Sequence, residues 1–268
     1  MREGTGIPML VIGAQRYYRR IFAPSLREHF EMVFFDSRQW ARTPEGFDVG
    51  SLTLRDFSDD AEAVRQTTGL ERPVVVGHSH HGALAMAYAQ DYPEAARGLG
   101  LIASNPPLAA LEGVESADDF FHRDASPERL AAHEHNQSSR PVHADVQTPQ
   151  QFIDNYVAND ARNWFDFCFD CRALWQGVEV NLEVLYQLFS ADGFATWDLE
   201  PTDLPTFLAL GRYDYLLPYF VWEAPKKRFA TLTERLYERS AHTPPYEQPG
   251  QFNADLVSWA REKWAPPQ

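Results

Sequence analysis

The segment VVVGHSHHG, residues 74–82, combines side chains that can carry chemistry with a local pattern that could present them. A run of β-branched residues ends at Gly77, and Ser79 follows it closely. Three histidines surround this serine: His78, His80 and His81. These residue types leave two chemistries open. The histidines could bind a metal ion, or a turn between a strand and the helix-like segment GALAMAYAQDYP could hold Ser79 for nucleophilic attack.

Two further residues could serve such a serine. A serine hydroxyl is a weak nucleophile alone, so it needs a general base and a group that orients the base. Asp214 follows the apolar run 206–211, and His242 follows the run 233–240. The sequence thus has the order Ser, Asp, His, which is one of the known chain orders of a catalytic triad.

The elements that must position these residues are apolar runs separated by helical patterns. The runs are IPMLVIG (7–13), MVFFD (32–36), PVVVG (73–77), LGLIAS (99–104), TFLALG (206–211) and TERLYERS (233–240). Residues 51–70 place apolar residues at helical spacing, with Gly69 near the end, and residues 251–264 predict a terminal amphipathic helix. This alternation predicts an α/β fold with a mostly parallel, doubly wound sheet. Such sheets bind ligands at the carboxyl ends of their strands, where all three candidates lie.

The alternation breaks between residues 108 and 200, which are helical in composition. We therefore predict a core formed by residues 1–107 and 201–268, with 108–200 inserted as a helical cap. The second half of this insertion is dense in aromatic residues. Three of them are candidates for the wall of a substrate pocket, with packing in the cap as the alternative: Trp164, Phe165 and Trp175.

Composition excludes several classes of partner. The formal charge of −14 and the pI of about 5.0 disfavour binding to nucleic acid or to an anionic membrane. No apolar run approaches the roughly 18 residues of a membrane span, and the N-terminal segment is too short and too weakly basic for a signal peptide. We therefore expect a cytoplasmic protein. The two cysteines, Cys168 and Cys171, form half a zinc site at best and are expected to be packed or weakly reactive.

The motifs VVVGHSHHG, GRYDYLLP and SAHTPPYEQP, with the weaker FFDSRQWART, resemble those of the α/β-hydrolase superfamily. The resemblance covers roughly residues 7–262 and is closest to the proline-iminopeptidase-like members, which have a helical cap. It implies that Ser79 is the nucleophile, His242 the base and Asp214 the acid that orients the base. It also implies an oxyanion hole made by backbone N–H groups. The expected donors are that of His80 and that of Ala14, with Gln15 as second choice for the latter.

Three features depart from the family pattern. His81 stands where a small residue is expected, and the loop after the first run reads Ile12-Gly13 instead of the common His-Gly pair. Only six residues precede the first run, so the N-terminal strands of the family are expected to be absent or shortened. The run 32–36 would then be an apolar sheet edge, which a chain segment or a second subunit in a homodimer should cover.

The sequence predicts a serine hydrolase that cleaves a carboxylic ester or a small amide through an acyl-enzyme. Its substrate is expected to be a small molecule with an apolar acyl or leaving group, and no cofactor or metal is implied. A proline-iminopeptidase-like aminopeptidase is the main alternative. It would need a carboxylate in the cap to bind the substrate's amine. The available carboxylates are Asp166, Asp170, Glu179 and Glu183.

Two other classes of function remain open. HSHH partly matches the H-x-H-x-D-H motif of metallohydrolases, but Gly82 and Ala83 stand where the Asp and the third His belong. The other candidate ligands fall in the predicted cap: His122, His133, His135 and His143. A hydrolase-fold protein that only binds a ligand is the third class, and it would not react covalently at Ser79.

Overall fold

A seven-stranded sheet carries the candidate residues on its loops. The computed structural model describes residues 1–107, 111–190, 194 and 197–264. The strands are β1 (Arg2–Glu3), β2 (Ile7–Gly13), β3 (Phe30–Asp36), β4 (Val74–His78), β5 (Gly98–Ile102), β6 (Thr206–Gly211) and β7 (Leu232–Tyr237). Their order is β1-β3-β2-β4-β5-β6-β7, and every neighbouring pair is parallel except β1 with β3. The predicted fold class is confirmed.

Helices cover both faces of the sheet. They are α1 (Gln15–Ile21), α2 (Leu54–Thr68), α3 (His80–Asp91), α4 (Ala117–Asp124), α5 (Pro127–Ser139), α6 (Pro149–Ala158), α7 (Asp160–Asn163), α8 (Arg172–Trp175), α9 (Leu182–Leu188), α10 (Pro244–Glu247) and α11 (Pro249–Trp264). Met9 and Val11 of β2 pack into the core with α1 and α11, whereas Leu10 and Ile12 pack with α2 and α3. Because both faces are buried, the central strands are continuous apolar runs. None of the described helices is long and apolar enough to cross a membrane.

The ends of helix α2 follow from local hydrogen bonds. Asp56 in its first turn accepts a bond from the backbone N–H of Thr53 at 2.9 Å, so the helix begins after Thr53. It ends at Gly69, whose φ of 68° is left-handed and which donates back to the last turn. The predicted segment 51–70 is therefore helical only over Leu54–Thr68.

The predicted open edge is covered by the chain's own N-terminal segment. Strand β1 pairs antiparallel with β3, with Arg2 opposite Val33 and Glu3 opposite Met32. The backbone N–H of Phe34 also donates to the carbonyl oxygen of Met1 at 2.8 Å. A strand of two charged residues leaves little edge for another chain to pair with. The expected homodimer stays a prediction.

Helices α4 to α9 all lie between β5 and β6, in the stretch predicted as a cap. The predicted boundary at residue 108 and the C-terminal residues 265–268 lie outside the described residues. Within the inserted stretch, buried Arg129 of α5 donates three hydrogen bonds to carbonyl oxygens of Ala161, Trp164 and Phe165. These bonds fix the course of the chain after α7, which passes close to the end of the sheet.

Candidate active site

Ser79 lies in a strained turn between β4 and α3. Its φ of 58° and ψ of −135° are unusual for a residue with a Cβ atom, and its N–H donates to the carbonyl of Ile102 at 3.0 Å. The turn is tight enough to need glycine on both sides. A Cβ added to Gly77 would lie 2.1 Å from the carbonyl oxygen of His81, and one added to Gly82 would lie 2.1 Å from Cβ of Ser104. The sharp turn places Ser79 directly before the N-terminus of α3.

The histidine at the expected small-residue position is accommodated by a different glycine. The His81 side chain is buried beside Gly13 at the end of β2. A Cβ added to Gly13 would lie 2.3 Å from the Tyr18 ring and 2.9 Å from the His81 ring. Gly13 therefore supplies the space that a small residue at position 81 would otherwise supply, and the turn at Ser79 forms with His81 in place.

Asp214 and His242 meet at the carboxyl ends of β6 and β7. The Nδ1 atom of His242 lies 2.8 Å from Oδ2 of Asp214, and both side chains are almost fully buried. The other oxygen of Asp214 accepts the backbone N–H groups of Leu216 and Leu217 at 2.9 and 2.8 Å. The buried Nε2 atom of His242 has no hydrogen-bond partner in the described part of the chain. It is thus available to a group bound in the cavity that His242 lines together with Ser79.

Glu247 holds the loop that carries His242. One carboxylate oxygen accepts the backbone N–H groups of Ala241 and Thr243, each at 3.0 Å, and the other accepts that of Phe165 at 2.6 Å. The N–H of His242 itself donates to the carbonyl of Asn163 at 3.0 Å. The His242 backbone is therefore fixed by its own loop and by the chain at the end of α7. Burial, opposed by the three N–H donors, raises the pKa of Glu247 to about 7.

The raised pKa of Glu247 predicts a pH dependence of stability. In the folded protein the Glu247 carboxyl keeps its proton up to a higher pH than in the unfolded chain. The stability that this difference contributes to the folded state is full below about pH 4.5 and is lost as pH rises through about 7. The free energy of unfolding should therefore fall from pH 5 to pH 7 relative to Glu247→Gln, by up to about 1.4 kcal/mol per pH unit. Urea unfolding of both proteins across this range measures it. Parallel curves for the two proteins would contradict the prediction.

The cavity at Ser79 is small and mostly aromatic. Its volume is about 70 Å³, whereas pockets for drug-sized ligands typically measure about 300–1,000 Å³. Its aromatic walls are Tyr17, Tyr18, Trp40, Phe152, Tyr156 and Trp175. Trp175 is central to them, with ring centroids of Tyr17 and Tyr156 at 4.9 and 5.0 Å from its own.

The three aromatic residues predicted for the pocket wall lie in different places. Trp175 lines the cavity, but Trp164 and Phe165 are not among its lining residues. Trp164 is buried against Phe169 and Tyr246, and Phe165 packs on Tyr213. The backbone bonds of this segment to Arg129 and Glu247 direct these two side chains away from Ser79.

The geometry separates the two candidates for the first oxyanion donor. The N–H of Gln15 donates to Asp36 Oδ1 at 2.8 Å, so it is already used, and the Gln15 side chain donates to the same carboxylate. Ala14 lines the cavity and Gln15 does not. His80 is the first residue of α3 and also lines the cavity. The first N–H groups of a helix have no partner within it, so this one is free to bind an anion.

The four candidate carboxylates for binding an amine are all exposed: Asp166, Asp170, Glu179 and Glu183. Asp170 pairs with Arg172 at 2.6 Å, and Glu179 pairs with Arg42 at 3.1 Å. None of the described residues that line the cavity carries a carboxylate.

The remaining histidines of the inserted stretch are dispersed. His122 is exposed near Asp118, His143 lies near Asp154, and His133 packs on Phe121. His135 is exposed on α5. Across the described ranges, no three His, Cys, Asp or Glu side chains group as a metal site would require. Both cysteines are free thiols, with Cys168 exposed and Cys171 buried.

Several cavity residues were not singled out from the sequence. Tyr17 and Tyr18 lie on α1, directly after the loop that contains Ala14. Trp40 lies in the short 3-10 helix Arg38–Trp40, just after β3. These three residues, Tyr17, Tyr18 and Trp40, follow shortly after the ends of predicted strands, and this position could have identified them as candidates for the cavity. Phe152 and Tyr156 lie four residues apart on α6. This spacing predicts that they share one face of the helix, but it does not indicate which other element that face contacts.

Comparisons with known proteins agree with this architecture. The family described as the alpha/beta hydrolase fold matches residues 6–249. The chain is 29% identical to the AB hydrolase superfamily protein YclE of Bacillus subtilis, over 96% of this chain and 92% of that protein. It is 31% identical to proline iminopeptidase of Neisseria gonorrhoeae, but only over 36% of this chain and 32% of that enzyme. An alpha/beta fold family hydrolase from Bacillus anthracis superposes with a TM-score of 0.70 at 14% identity, covering 96% of this chain and 93% of that one. The predicted resemblance to the α/β-hydrolase superfamily is thereby confirmed, and the chain belongs to the α/β-hydrolase family.

Proposed function

We propose that this protein is a serine hydrolase that cleaves small carboxylic esters, or small amides, with a short acyl group. The observation that carries the proposal is the shared cavity of Ser79 and His242, with Nδ1 of His242 bonded to Asp214 at 2.8 Å and its Nε2 unpartnered in the described structure. Nucleophile, base and orienting acid can then act together.

In the proposed mechanism His242 Nε2 takes the Ser79 proton as the hydroxyl oxygen attacks the ester carbonyl. Asp214 holds the proton on Nδ1, so that Nε2 is the basic nitrogen. The N–H groups of Ala14 and His80 stabilise the oxyanion of the tetrahedral intermediate. His242 then protonates the leaving alcohol, which departs and leaves an acyl-Ser79. In the second half His242 deprotonates a water molecule as it attacks the acyl group, and then returns that proton to the Ser79 oxygen as the acid departs.

The size of the cavity supports a short acyl group. A cavity of roughly 150 Å³ holds benzene, which has six heavy atoms. By this comparison about 70 Å³ holds roughly three, which corresponds to an acetyl or propionyl group. The aromatic walls favour an apolar group of this size over a polar one.

The aminopeptidase alternative has less support. An aminopeptidase must neutralise the free amine of its substrate, and burying an unpaired ammonium group is strongly unfavourable. The described lining of the cavity has no carboxylate, and the similarity to proline iminopeptidase covers about a third of the chain.

Hydrolysis rates for nitrophenyl acetate, butyrate and octanoate, compared with proline nitroanilide, test the two functions. We expect acetate to be preferred, and a preference for the proline amide would overturn the proposal.

Trp175 is expected to limit the length of the acyl group. Trp175→Leu should raise kcat/KM for hexanoate relative to acetate by about 10-fold or more, since each buried methylene contributes about 0.8 kcal/mol once space exists. Steady-state rates on nitrophenyl hexanoate and nitrophenyl acetate measure this ratio. Trp164→Leu is the matched control, because Trp164 is also buried but does not line the cavity. An equal change of the ratio in both variants would refute a specific role of Trp175.

A further inference from the structure

Beside Ser79 lies a chain of buried side chains whose hydrogen bonds take no part in the proposed reaction. We name it the histidine network, and its members are Trp40, His81, Tyr18 and His78. It begins after β3, passes under the turn at Ser79, and ends at the loop of His242. All four side chains are buried.

The two ends of the network fix the direction of its hydrogen bonds. Nε1 of Trp40 lies 2.6 Å from Nε2 of His81, and an indole nitrogen can only donate, so this His81 nitrogen is the acceptor. At the other end Nε2 of His78 lies 2.7 Å from the carbonyl oxygen of His242. A carbonyl oxygen can only accept, so this His78 nitrogen carries a proton. The two neutral histidines must therefore be opposite tautomers, with the proton on Nδ1 of His81 and on Nε2 of His78.

The middle of the network is consistent with these assignments. Nδ1 of His81 lies 2.7 Å from the Tyr18 hydroxyl oxygen and 3.1 Å from the carbonyl oxygen of His78, so its proton can serve both. The Tyr18 hydroxyl lies 3.3 Å from the same carbonyl oxygen and 3.4 Å from Nδ1 of His78, to which it can donate. The carbonyl of His78 belongs to the peptide bond that leads into Ser79. The network thus contacts the backbone of both the nucleophile and the base.

Burial keeps both histidines neutral. It lowers the pKa of His78 well below its usual value, and nearby His242 and His80 lower it further, against the bond to the His242 carbonyl. Burial also lowers the pKa of His81, with His80 and His78 acting in the same direction, against its bond to the His78 carbonyl. Trp40 and Tyr18 carry no charge that could stabilise an imidazolium ion. A directional network of single donors and acceptors persists only while both rings are neutral.

We propose that His78 and His81 are positioning residues of this hydrolase, joined through Tyr18 and Trp40 into a network that holds the peptide bond before Ser79 and the carbonyl of His242 in fixed relation. This inference rests on the proposed function of Ser79 and His242. It gives HSHH a role that is neither metal binding nor direct participation in the reaction. Two backbone segments from distant parts of the chain, the strained turn at Ser79 and the loop of His242, are thereby aligned by side chains that also line the cavity.

The tautomers can be measured without any activity assay. Long-range ¹H–¹⁵N NMR spectra of the imidazole rings, assigned with His78→Gln and His81→Gln, report which nitrogen is protonated. The network requires Nε2–H at His78 and Nδ1–H at His81 at pH 7, with both rings still neutral at pH 6. The same tautomer at both positions, or a ring that becomes charged between pH 7 and pH 6, would overturn it. This result stands whether or not the protein hydrolyses esters.

The functional part is tested by two substitutions at one position. Glutamine can place an N–H group near the position of Nε2 of His78, whereas leucine has a similar volume and no donor. His78→Leu should lower kcat on nitrophenyl acetate about 10- to 100-fold with KM within about threefold, because the base is misaligned while binding is kept. His78→Gln should recover most of that loss. Equal losses in both variants, or an effect confined to KM, would overturn the positioning role.

Controls separate this inference from its premise. His122→Gln changes an exposed histidine outside the network and should leave kcat unchanged. If His78→Leu does not fold, the His78→Gln rate decides: within about fivefold of wild type supports an N–H donor role, and a loss of 100-fold contradicts it. If the wild type itself neither hydrolyses esters nor reacts at Ser79, the proposed function fails. The positioning role then fails with it, although the tautomers would still show whether the network exists.

Discussion

Replacing His242 with alanine is expected to lower kcat/KM on nitrophenyl acetate by about 10⁴-fold or more. The substitution removes the imidazole that lines the cavity with Ser79 and whose buried Nε2 atom has no partner among the described residues. Without it the serine proton has no acceptor during attack, and losses of this size follow removal of the base in other serine hydrolases. KM should change far less, because His242 contributes little to binding the ester. Steady-state kinetics on purified protein measures both constants.

His122→Ala serves as the control for this experiment, since His122 is exposed on α4 and distant from Asp214 in sequence and contacts. It should retain wild-type kinetics. A loss below about 100-fold in His242→Ala would show that another group acts as base. His80 would then be the first residue to examine, since it also lines the cavity. Burial lowers the pKa of His80 to about 3, however, which makes it a weak base.

Asp214→Asn is expected to lower kcat by about 10³- to 10⁴-fold, and the hydrogen bonds of Asp214 explain why. Two backbone N–H groups, of Leu216 and Leu217, bind one carboxylate oxygen. In the asparagine variant they should bind the amide oxygen, which turns the amide NH₂ group toward Nδ1 of His242. Nδ1 must then accept, so the His242 proton moves to Nε2, where it prevents deprotonation of Ser79.

We therefore expect Asp214→Asn to lower kcat at least as much as Asp214→Ala, although asparagine is closer in shape to aspartate. Alanine removes the orienting group but does not impose the wrong tautomer. Imidazole NMR of the asparagine variant should show the proton of His242 on Nε2, while the wild type should show it on Nδ1. Asp170→Asn, at an exposed ion pair with Arg172, is the matched control and should have no effect on kcat. A fully active Asp214→Asn would exclude Asp214 as the orienting acid.

The sheet was predictable because each central strand is buried on both faces. Such strands read as continuous apolar runs, and the run 7–13 coincides with β2. Strand β1 was not predictable, because two residues, Arg2 and Glu3, are too few to show any periodicity. Its position depends on pairing with β3, a contact across about 30 residues that composition does not reveal.

For the candidate site, the sequence located residues whose positions follow from strand ends. Each of the three comes just after a strand of the same mostly parallel sheet: Ser79, Asp214 and His242. Because the carboxyl ends of parallel strands lie at one edge, the strand order alone brings these residues to that edge. The residues that form the wall of the cavity were harder to predict from the sequence. Trp164 and Trp175 are both buried aromatic residues of the same stretch, yet only Trp175 faces the cavity. The difference arises from backbone bonds to Arg129 and Glu247, which no local pattern shows.

Tertiary contacts also distinguish the N–H group of Ala14 from that of Gln15, and they explain how the turn accommodates the His81 side chain. The N–H of Gln15 is already occupied only because Asp36, on the neighbouring strand β3, accepts it. His81 is compatible with the turn only because Gly13 lies opposite its ring. Both contacts join residues far apart in the chain, so neither can be derived from spacing.

The most direct test of the central claim is labelling with a fluorophosphonate, which reacts preferentially with an activated serine. Wild type and Ser79→Ala should be treated with the probe, and intact and peptide mass spectra should locate the adduct. We expect one phosphonate per chain on Ser79 in the wild type and none in Ser79→Ala. An unlabelled wild type, or equal labelling of both proteins, would contradict the assignment of Ser79 as the nucleophile.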